Sequence, residues 1–381
     1  MKKLYFLFLA CFILSLTGFR FGTVNLAKDA AVELSKKSSQ NGQSDNGWTT
    51  VKDNASVFVA LPNEYGTPYR QNLSCMGWED GVFISRDGLN LYCIYIPADV
   101  LSFTISGDSL ENYEKYARGP DFGMDFSNPV GYSWKWFHGD ILYAHRNSTT
   151  ESFTTWQLSN MKRAVYTEGA FVAVFSAANM IDIACFTSTD SSPTYKNDIR
   201  YMRDVEANPS GIGTPLPSPV NTTDYTEDNP HIEKLDSQNM ILFFDSNDRP
   251  GGTGKLDIWL STSSDNGTTW SIPQNVTSIN TTDDESQPHL YKNNSGQWYV
   301  YFSATNNDGK WAIFRATQTV VGDWNSWGNR ELVIRGGNNT EGAGEPTLTQ
   351  NGDISFVVVY KNPNGNSFDR YDADPWFLPT K

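Results

Sequence analysis

Apolar residues in this chain come in short runs of strand length, separated by polar turns, and the runs recur at a fixed interval. Residues 240–244 (Met-Ile-Leu-Phe-Phe), 298–302 (Trp-Tyr-Val-Tyr-Phe) and 354–360 (Ile-Ser-Phe-Val-Val-Val-Tyr) are aromatic or β-branched, the side chains that suit a pleated, buried surface. Each run is preceded by an acidic segment containing proline. These segments read Glu227-Asp228-Asn229-Pro230-His231-Ile232, Asp284-Glu285-Ser286-Gln287-Pro288-His289-Leu290 and Gly344-Glu345-Pro346-Thr347-Leu348. Pro230, Pro288 and Pro346 fall 58 residues apart. A period this long, with strands inside each copy, predicts an all-β fold, a β-propeller with one blade per copy.

Three weaker copies come earlier. Trp78-Glu79-Asp80-Gly81 leads through the turn Asp87-Gly88 to the run 91–95, Asn128-Pro129 leads to 141–144, and Glu168-Gly169 leads to 181–186. An Asp-Gly turn between two apolar runs is a strong hairpin signal. Six blades are therefore preferred, with five, one weak unit being an insertion, as the competitor. Helical periodicity is confined to residues 108–117. The Pro-rich stretch 209–220 reads as a loop within one ring. The run 55–60 is the expected first strand, placed to complete the last blade.

The N-terminus reads as a targeting segment. Lys2-Lys3 precedes the apolar stretch 4–16, and Arg20 ends it too early for a membrane span,. The division expected is a signal peptide over 1–27, a polar linker over 28–47 and a single propeller over 48–381. The protein is expected to be exported (periplasmic, cell-surface or secreted), with no stable span after cleavage; a lipid on Cys11 is a minor alternative. Cys75, Cys93 and Cys185 then remain; Cys75 can pair with Cys93, or Cys93 and Cys185, each in a strand-like run, can be buried free thiols. A net charge of −14 repels phosphate backbones, which argues against a nucleic-acid partner,. Phosphate-loop, dinucleotide, Gly-x-Ser-x-Gly and His-Glu-x-x-His motifs are missing from the sequence,.

Residues 263–270 (Ser-Ser-Asp-Asn-Gly-Thr-Thr-Trp) fit Ser-x-Asp-x-Gly-x-Thr-Trp at every defined position. This is the Asp box, and here the chain resembles sialidases and related exported propellers. The motif is a hairpin device: Asp265 accepts from the turn backbone, Gly267 takes a positive φ and Trp270 packs on its blade. The repeated acidic–Pro–apolar segment also resembles the repeats of Tol-type periplasmic propellers. Sialidase chemistry itself is not implied, because an Arg-Ile-Pro segment is missing and a single box is intact.

In a propeller the first strand of each blade lines the axis. Carboxylates starting those strands would converge at one mouth and raise one another's pKa, as acid–base catalysis on a glycosidic bond requires. Five-bladed glycoside hydrolases that cut arabinans or xylans use two Asp and a Glu from inner strands. Glu79, Asp80, Asp228, Glu285 and Glu345 are the candidate catalytic residues. The competing reading is that each serves the repeat by holding backbone. His231 and His289 follow proline in equivalent positions, Arg249 is a candidate anion holder, and Trp134 is a candidate sugar platform. The acidic mouth can equally hold a Ca2+ ion, the one cofactor considered. Carbohydrate is the expected partner. The alternative is a non-catalytic Tol-like propeller that binds an envelope or extracellular protein.

Overall fold

The structure is a computed structural model that describes residues 47–108, 112, 115–120, 122, 139–161, 167–189 and 196–381. The expected signal peptide, the linker up to residue 46 and Trp134 lie outside the described residues. A short helix (Trp48–Asp53) is followed by β1 (Val57–Val59) and β2 (Tyr69–Arg70). The remaining strands run up and down in order. They are β3 (Trp78–Ile84), β4 (Asn90–Ile96), β5 (Asp140–His145) and β6 (Gln157–Leu158); then β7 (Glu168–Ala177), β8 (Met180–Thr189), β9 (Asn197–Glu206) and β10 (Thr214–Pro215). There follow β11 (Glu227–Lys234), β12 (Met240–Asn247), β13 (Leu256–Ser263) and β14 (Gln274–Asn275), then β15 (Glu285–Lys292), β16 (Trp298–Thr305), β17 (Trp311–Thr317) and β18 (Glu331–Gly336), and finally β19 (Thr340–Leu348), β20 (Ile354–Lys361) and β21 (Tyr371–Leu378).

Among the described residues these strands pair into four sheets, the largest joining the meanders β19–β21 and β3–β6 where Ala373 pairs with Trp78 in parallel; counted as meanders there are five, arranged like the blades of a propeller. The inner strands β3, β7, β11, β15 and β19 each pack against the next, and β19 packs against β3, so the ring is closed. The sixth expected unit opens at Asn128-Pro129, which lie outside the described residues. Its run 141–144 pairs with β4 as the third strand of the first blade. That blade carries a long insertion containing a helix (Val100–Ser106), capped by Asp99, which accepts from Ser102 N at 2.9 Å. The helix precedes the 108–117 segment where one was expected.

Closure also differs from the expectation. Val57 pairs with Gly336 on the outer edge of the fourth blade. The last blade is completed instead by β2, with Tyr69 opposite Phe377 and Arg70 opposite Trp376. The Pro-rich stretch contributes β10, the outer strand of the second blade, and buries Leu216 and Val220.

The core lies between adjacent blades. Middle strands read as unbroken apolar runs because both faces of each sheet are covered by a neighbour. Met240, Ile241, Leu242, Phe243 and Phe244 are all fully buried, and Phe302 and Phe356 repeat the pattern. Each such phenylalanine contributes about 1.5–3 kcal/mol by leaving water. Cys75, Cys93 and Cys185 are all free thiols, so the Cys75–Cys93 pairing is not made. No helix among the described residues is long and apolar enough to cross a membrane.

Candidate functional site at the axial channel

The equally spaced prolines mark a bulge that every inner strand carries. Register shifts fall between Asp80 and Phe83, Gly169 and Val172, Asp228 and His231, Ser286 and His289, and Gly344 and Thr347. The bulged residue is left-handed in each blade: Gly81 (φ 56°), Ala170 (φ 37°), Asn229 (φ 46°), Gln287 (φ 55°) and Glu345 (φ 58°). In three blades a proline follows, at a point where the ladder is interrupted and its missing N–H costs nothing. These residues and the two after each of them line the axial channel, which has a volume of only about 40 Å3. That is room for a few waters at most.

The bulge corrects the sequence register. Glu345 occupies the place of Gln287 and Asn229, not that of Glu285 and Glu227. The residues equivalent to those two glutamates are Glu79, Glu168 and Ala343.

The glutamates that open the strands face inward to their own blades. Glu227 accepts from Thr222 N (3.1 Å) and Thr222 Oγ1 (2.9 Å) and pairs with Arg249. Glu285 accepts from Thr281 N and Oγ1 (both 2.7 Å) and from Arg330 (2.9 Å). Glu79 accepts from Cys75 N (3.0 Å) and Trp156 Nε1 (2.6 Å). All three are 0% exposed. Each staples the turn that enters its own inner strand. Burial pushes Glu227 and Glu285 up to about 7 and Glu79 well above the usual range. Arg249 is likewise engaged, held by Glu227 and Val220 O and seated over Tyr225, Phe244 and Trp259.

A second set of carboxyls lies within electrostatic reach of one another beside the channel, and of these Glu345 lines it. Asp80, Asp228 and Glu345 come from the first, third and fifth blades, and Asp245 joins them from β12, directly opposite Asp228 in the ladder. Asp80 Oδ2 accepts from Trp78 Nε1 at 2.5 Å. Asp228 accepts from Asn197 Nδ2 at 2.8 Å, across the interface with the second blade. Asp245 Oδ2 accepts from Ser286 Oγ, from Gln287 N (3.0 Å) and from Asn229 Nδ2 (2.8 Å). Glu345 Oε2 accepts from Gly81 N and from Val82 N (3.3 Å). Asp80 Oδ1 and Asp245 Oδ1 are buried without a partner.

These donors are neutral, and they do not cancel the charge of four carboxylates, so the set keeps protons. Burial, then Asp228, pushes Asp80 and Asp245 up to about 7, while the indole of Trp78 and the hydroxyl of Ser286 pull the other way. Burial and then Asp80 hold Glu345 well above the usual carboxylate range. Asp245 was missed in the sequence because an Asp ending an apolar run reads as the start of a turn. Its signal is the hairpin register that sets it beside Asp228.

The channel continues past His231 and His289, whose rings lie 4.2 Å apart at 61°. Both are nearly fully buried, which keeps them neutral by lowering their pKa values. Leu348 N donates to His289 Nε2 at 3.1 Å. Arg86, also missed, spans the far end and donates to Glu233 (3.1 Å), Leu290 O (2.5 Å) and Leu348 O (3.3 Å). One side chain from the first blade thus closes the channel against three others. Among the described residues no three His, Cys, Asp or Glu side chains are arranged to hold a metal ion, so the Ca2+ expectation gains no donor set,.

The turn at 263–270 lies on the rim between β13 and β14. Asp265 accepts from Thr269 N (2.8 Å) and Oγ1 (2.6 Å), Gly267 has φ 80° and Trp270 is buried. These are the roles its residue types imply, and they are structural.

No protein-family model and no curated protein matches this chain. Among solved structures, the catalytic domain of a GH62 α-L-arabinofuranosidase from Coprinopsis cinerea aligns with a TM-score of 0.43 at 11% identity, over 80% of this chain and 92% of its own. A thermostable family-43 glycoside hydrolase aligns with a TM-score of 0.49 at 12% identity, over 82% and 96%. The NanB sialidase from Streptococcus pneumoniae gives 0.40 at 15% identity, over 63% of this chain and 36% of the enzyme. Each is a protein this chain is similar to in outline, and the chemistry at the axis rests on this chain's own residues.

Proposed function

We propose that this is an exported propeller that acts on carbohydrate through the carboxyls at one end of its axial channel. One observation carries the reading: Asp80, Asp228, Asp245 and Glu345, from three different blades, form one buried group within electrostatic reach of one another, and burial raises the pKa values of Asp80, Asp245 and Glu345. A glycosidic bond needs a proton donor for the leaving oxygen and a carboxylate on the other side of the ring. Asp80 has an oxygen without a partner and a pKa of about 7, which suits the donor. Asp228, which lies within electrostatic reach of Asp80, Asp245 and Glu345, suits the carboxylate. The sugar would bind at the mouth, because the channel itself admits only water. Lys2-Lys3 and the apolar stretch after them support export,.

Screening purified protein on plant, algal and sialylated glycans tests this, with Asp80→Asn and Asp228→Asn alongside. Release of sugar by wild type, cut at least about 100-fold in both variants, is the expected result. Equal turnover in wild type and variants would refute the assignment.

A second reading is favoured by the narrow channel and by the ties that most of these carboxyls make across blade interfaces. In it the propeller is a non-catalytic scaffold that binds an envelope or extracellular protein. Release of no sugar from any glycan would favour it.

A further inference from the structure

We infer that a polar cavity on the flank of the ring is a separate binding site for a neutral saccharide unit. The cavity has a volume of about 440 Å3, within the range of roughly 300–1,000 Å3 that small-molecule sites occupy. It lies where the N-terminal helix and β2 meet the outer edge of the fifth blade, and it shares no residue with the axial channel. Asp53, Arg70, Gln71, Asn72, Ser74 and Trp376 supply most of its wall.

The chemistry of that wall selects the ligand. Lys52 also borders the cavity, but its ammonium is saturated by Asp372 (2.6 Å), Asp374 (2.7 Å) and Cys75 O (3.0 Å). Arg70 pairs with Asp53 at 3.2 Å and lies 3.6 Å from Asp374, yet stays one-third exposed. Asp53 is the one carboxylate in the wall itself, but both of the wall's cations are engaged by carboxylates, which disfavours an anion. The remaining groups are two side-chain amides, a hydroxyl and an indole. Ser74 Oγ is buried without a partner. Gln71 is fixed by its N–H to Pro375 O at 2.9 Å. Arg70 and Trp376 are cross-strand partners, so the ladder holds guanidinium and indole side by side. Amides and an Arg–Asp pair offer donors and acceptors to adjacent sugar hydroxyls, while Trp376 is buried, bonded to Tyr360 Oη at 2.6 Å, and forms the cavity's fixed back wall. The site is independent of any chemistry at the axis and would serve an enzyme or a scaffold equally.

Saturation-transfer NMR on the full chain tests it. The probes are glucose, galactose, xylose, arabinose and their disaccharides, with sulfate as an anionic competitor. At least one neutral sugar should bind wild type and Asp80→Asn equally, bind Gln71→Ala and Asn72→Ala about tenfold more weakly, and ignore sulfate. Circular dichroism checks that both variants are folded, and Asn72 is exposed, so its replacement spares the core. The inference falls if no sugar binds, if both variants bind as wild type, if Asp80→Asn abolishes binding, or if sulfate displaces the sugar.

Discussion

Gln287 and Glu345 clasp each other across the interface of the fourth and fifth blades. Gln287 Nε2 donates to Glu345 Oε1 at 2.7 Å, and Glu345 N donates back to Gln287 Oε1 at 3.2 Å. The two residues hold the same bulge position in successive repeats. Glu345 N also donates to Ser303 Oγ at 2.8 Å, and its other carboxyl oxygen takes the N–H groups of Gly81 and Val82 on the first blade. One side chain therefore joins three blades at the axis.

Removing that carboxyl strands buried donors. Glu345→Ala should lower stability by about 2–4 kcal/mol, since an unsatisfied buried group costs roughly 1–3 kcal/mol. Glu345→Gln, which keeps an acceptor, should cost less. The double variant Gln287→Ala with Glu345→Ala should cost less than the two singles combined, because they share a contact. Urea unfolding monitored by tryptophan fluorescence measures all four.

Gly81 is the one glycine among the five bulge residues, and its surroundings explain why. A Cβ there would lie 2.5–2.6 Å from Ile94 Cδ1 and Cγ1, at a φ of +56° that favours glycine,. Gly81→Ala should cost roughly 1–3 kcal/mol by strain and overpacking. In an Ile94→Ala background, which lacks both contacting carbons, the added cost of Gly81→Ala should fall, which denaturant midpoints would record.

Stability should decline as the solution becomes more alkaline. Asp80, Asp245, Glu227 and Glu285 titrate at about 7 in the folded protein, against roughly 4 in an unfolded chain. Between those values the folded state holds more protons, so unfolding free energy falls with rising pH. Their contribution is complete below about pH 4 and lost as pH rises through 7. Melting temperature should drop by several degrees from pH 5 to pH 8, and Asp80→Asn and Asp245→Asn should flatten the slope.

The entry staples make a separate prediction. Glu285 holds Thr281 N, Thr281 Oγ1 and Arg330 in a buried setting. Glu285→Ala should destabilise by about 2–4 kcal/mol while leaving the titration of the axial carboxyls in place. Thermal unfolding and carboxyl infrared bands read the two effects independently.

The propeller was legible in the chain because the bulge imposes a residue type. Proline fits where a ladder N–H is lost, so Pro230, Pro288 and Pro346 keep one spacing. The first two blades hide that mark behind Val82 and Phe171, and the misread unit at 128–144 follows from a third strand that looks like a second. Of the candidate residues Glu345 lines the channel, and Asp80 and Asp228 lie within electrostatic reach of it. Glu79 and Glu285 were grouped with them because adjacent residues on a strand point to opposite sides, and a bulge changes which one faces the axis. Asp245 and Arg86 come from a second strand and from a hairpin turn, positions that no inner-strand repeat records.

Proton retention at the axis is the claim on which the rest stands. Difference infrared spectroscopy of wild type against Asp80→Asn, over pH 4–9, measures it directly. A protonated-carboxyl band belonging to Asp80, lost with a midpoint near pH 7, is the expected result. Loss of that band near pH 4, the ordinary carboxylate range, would contradict it.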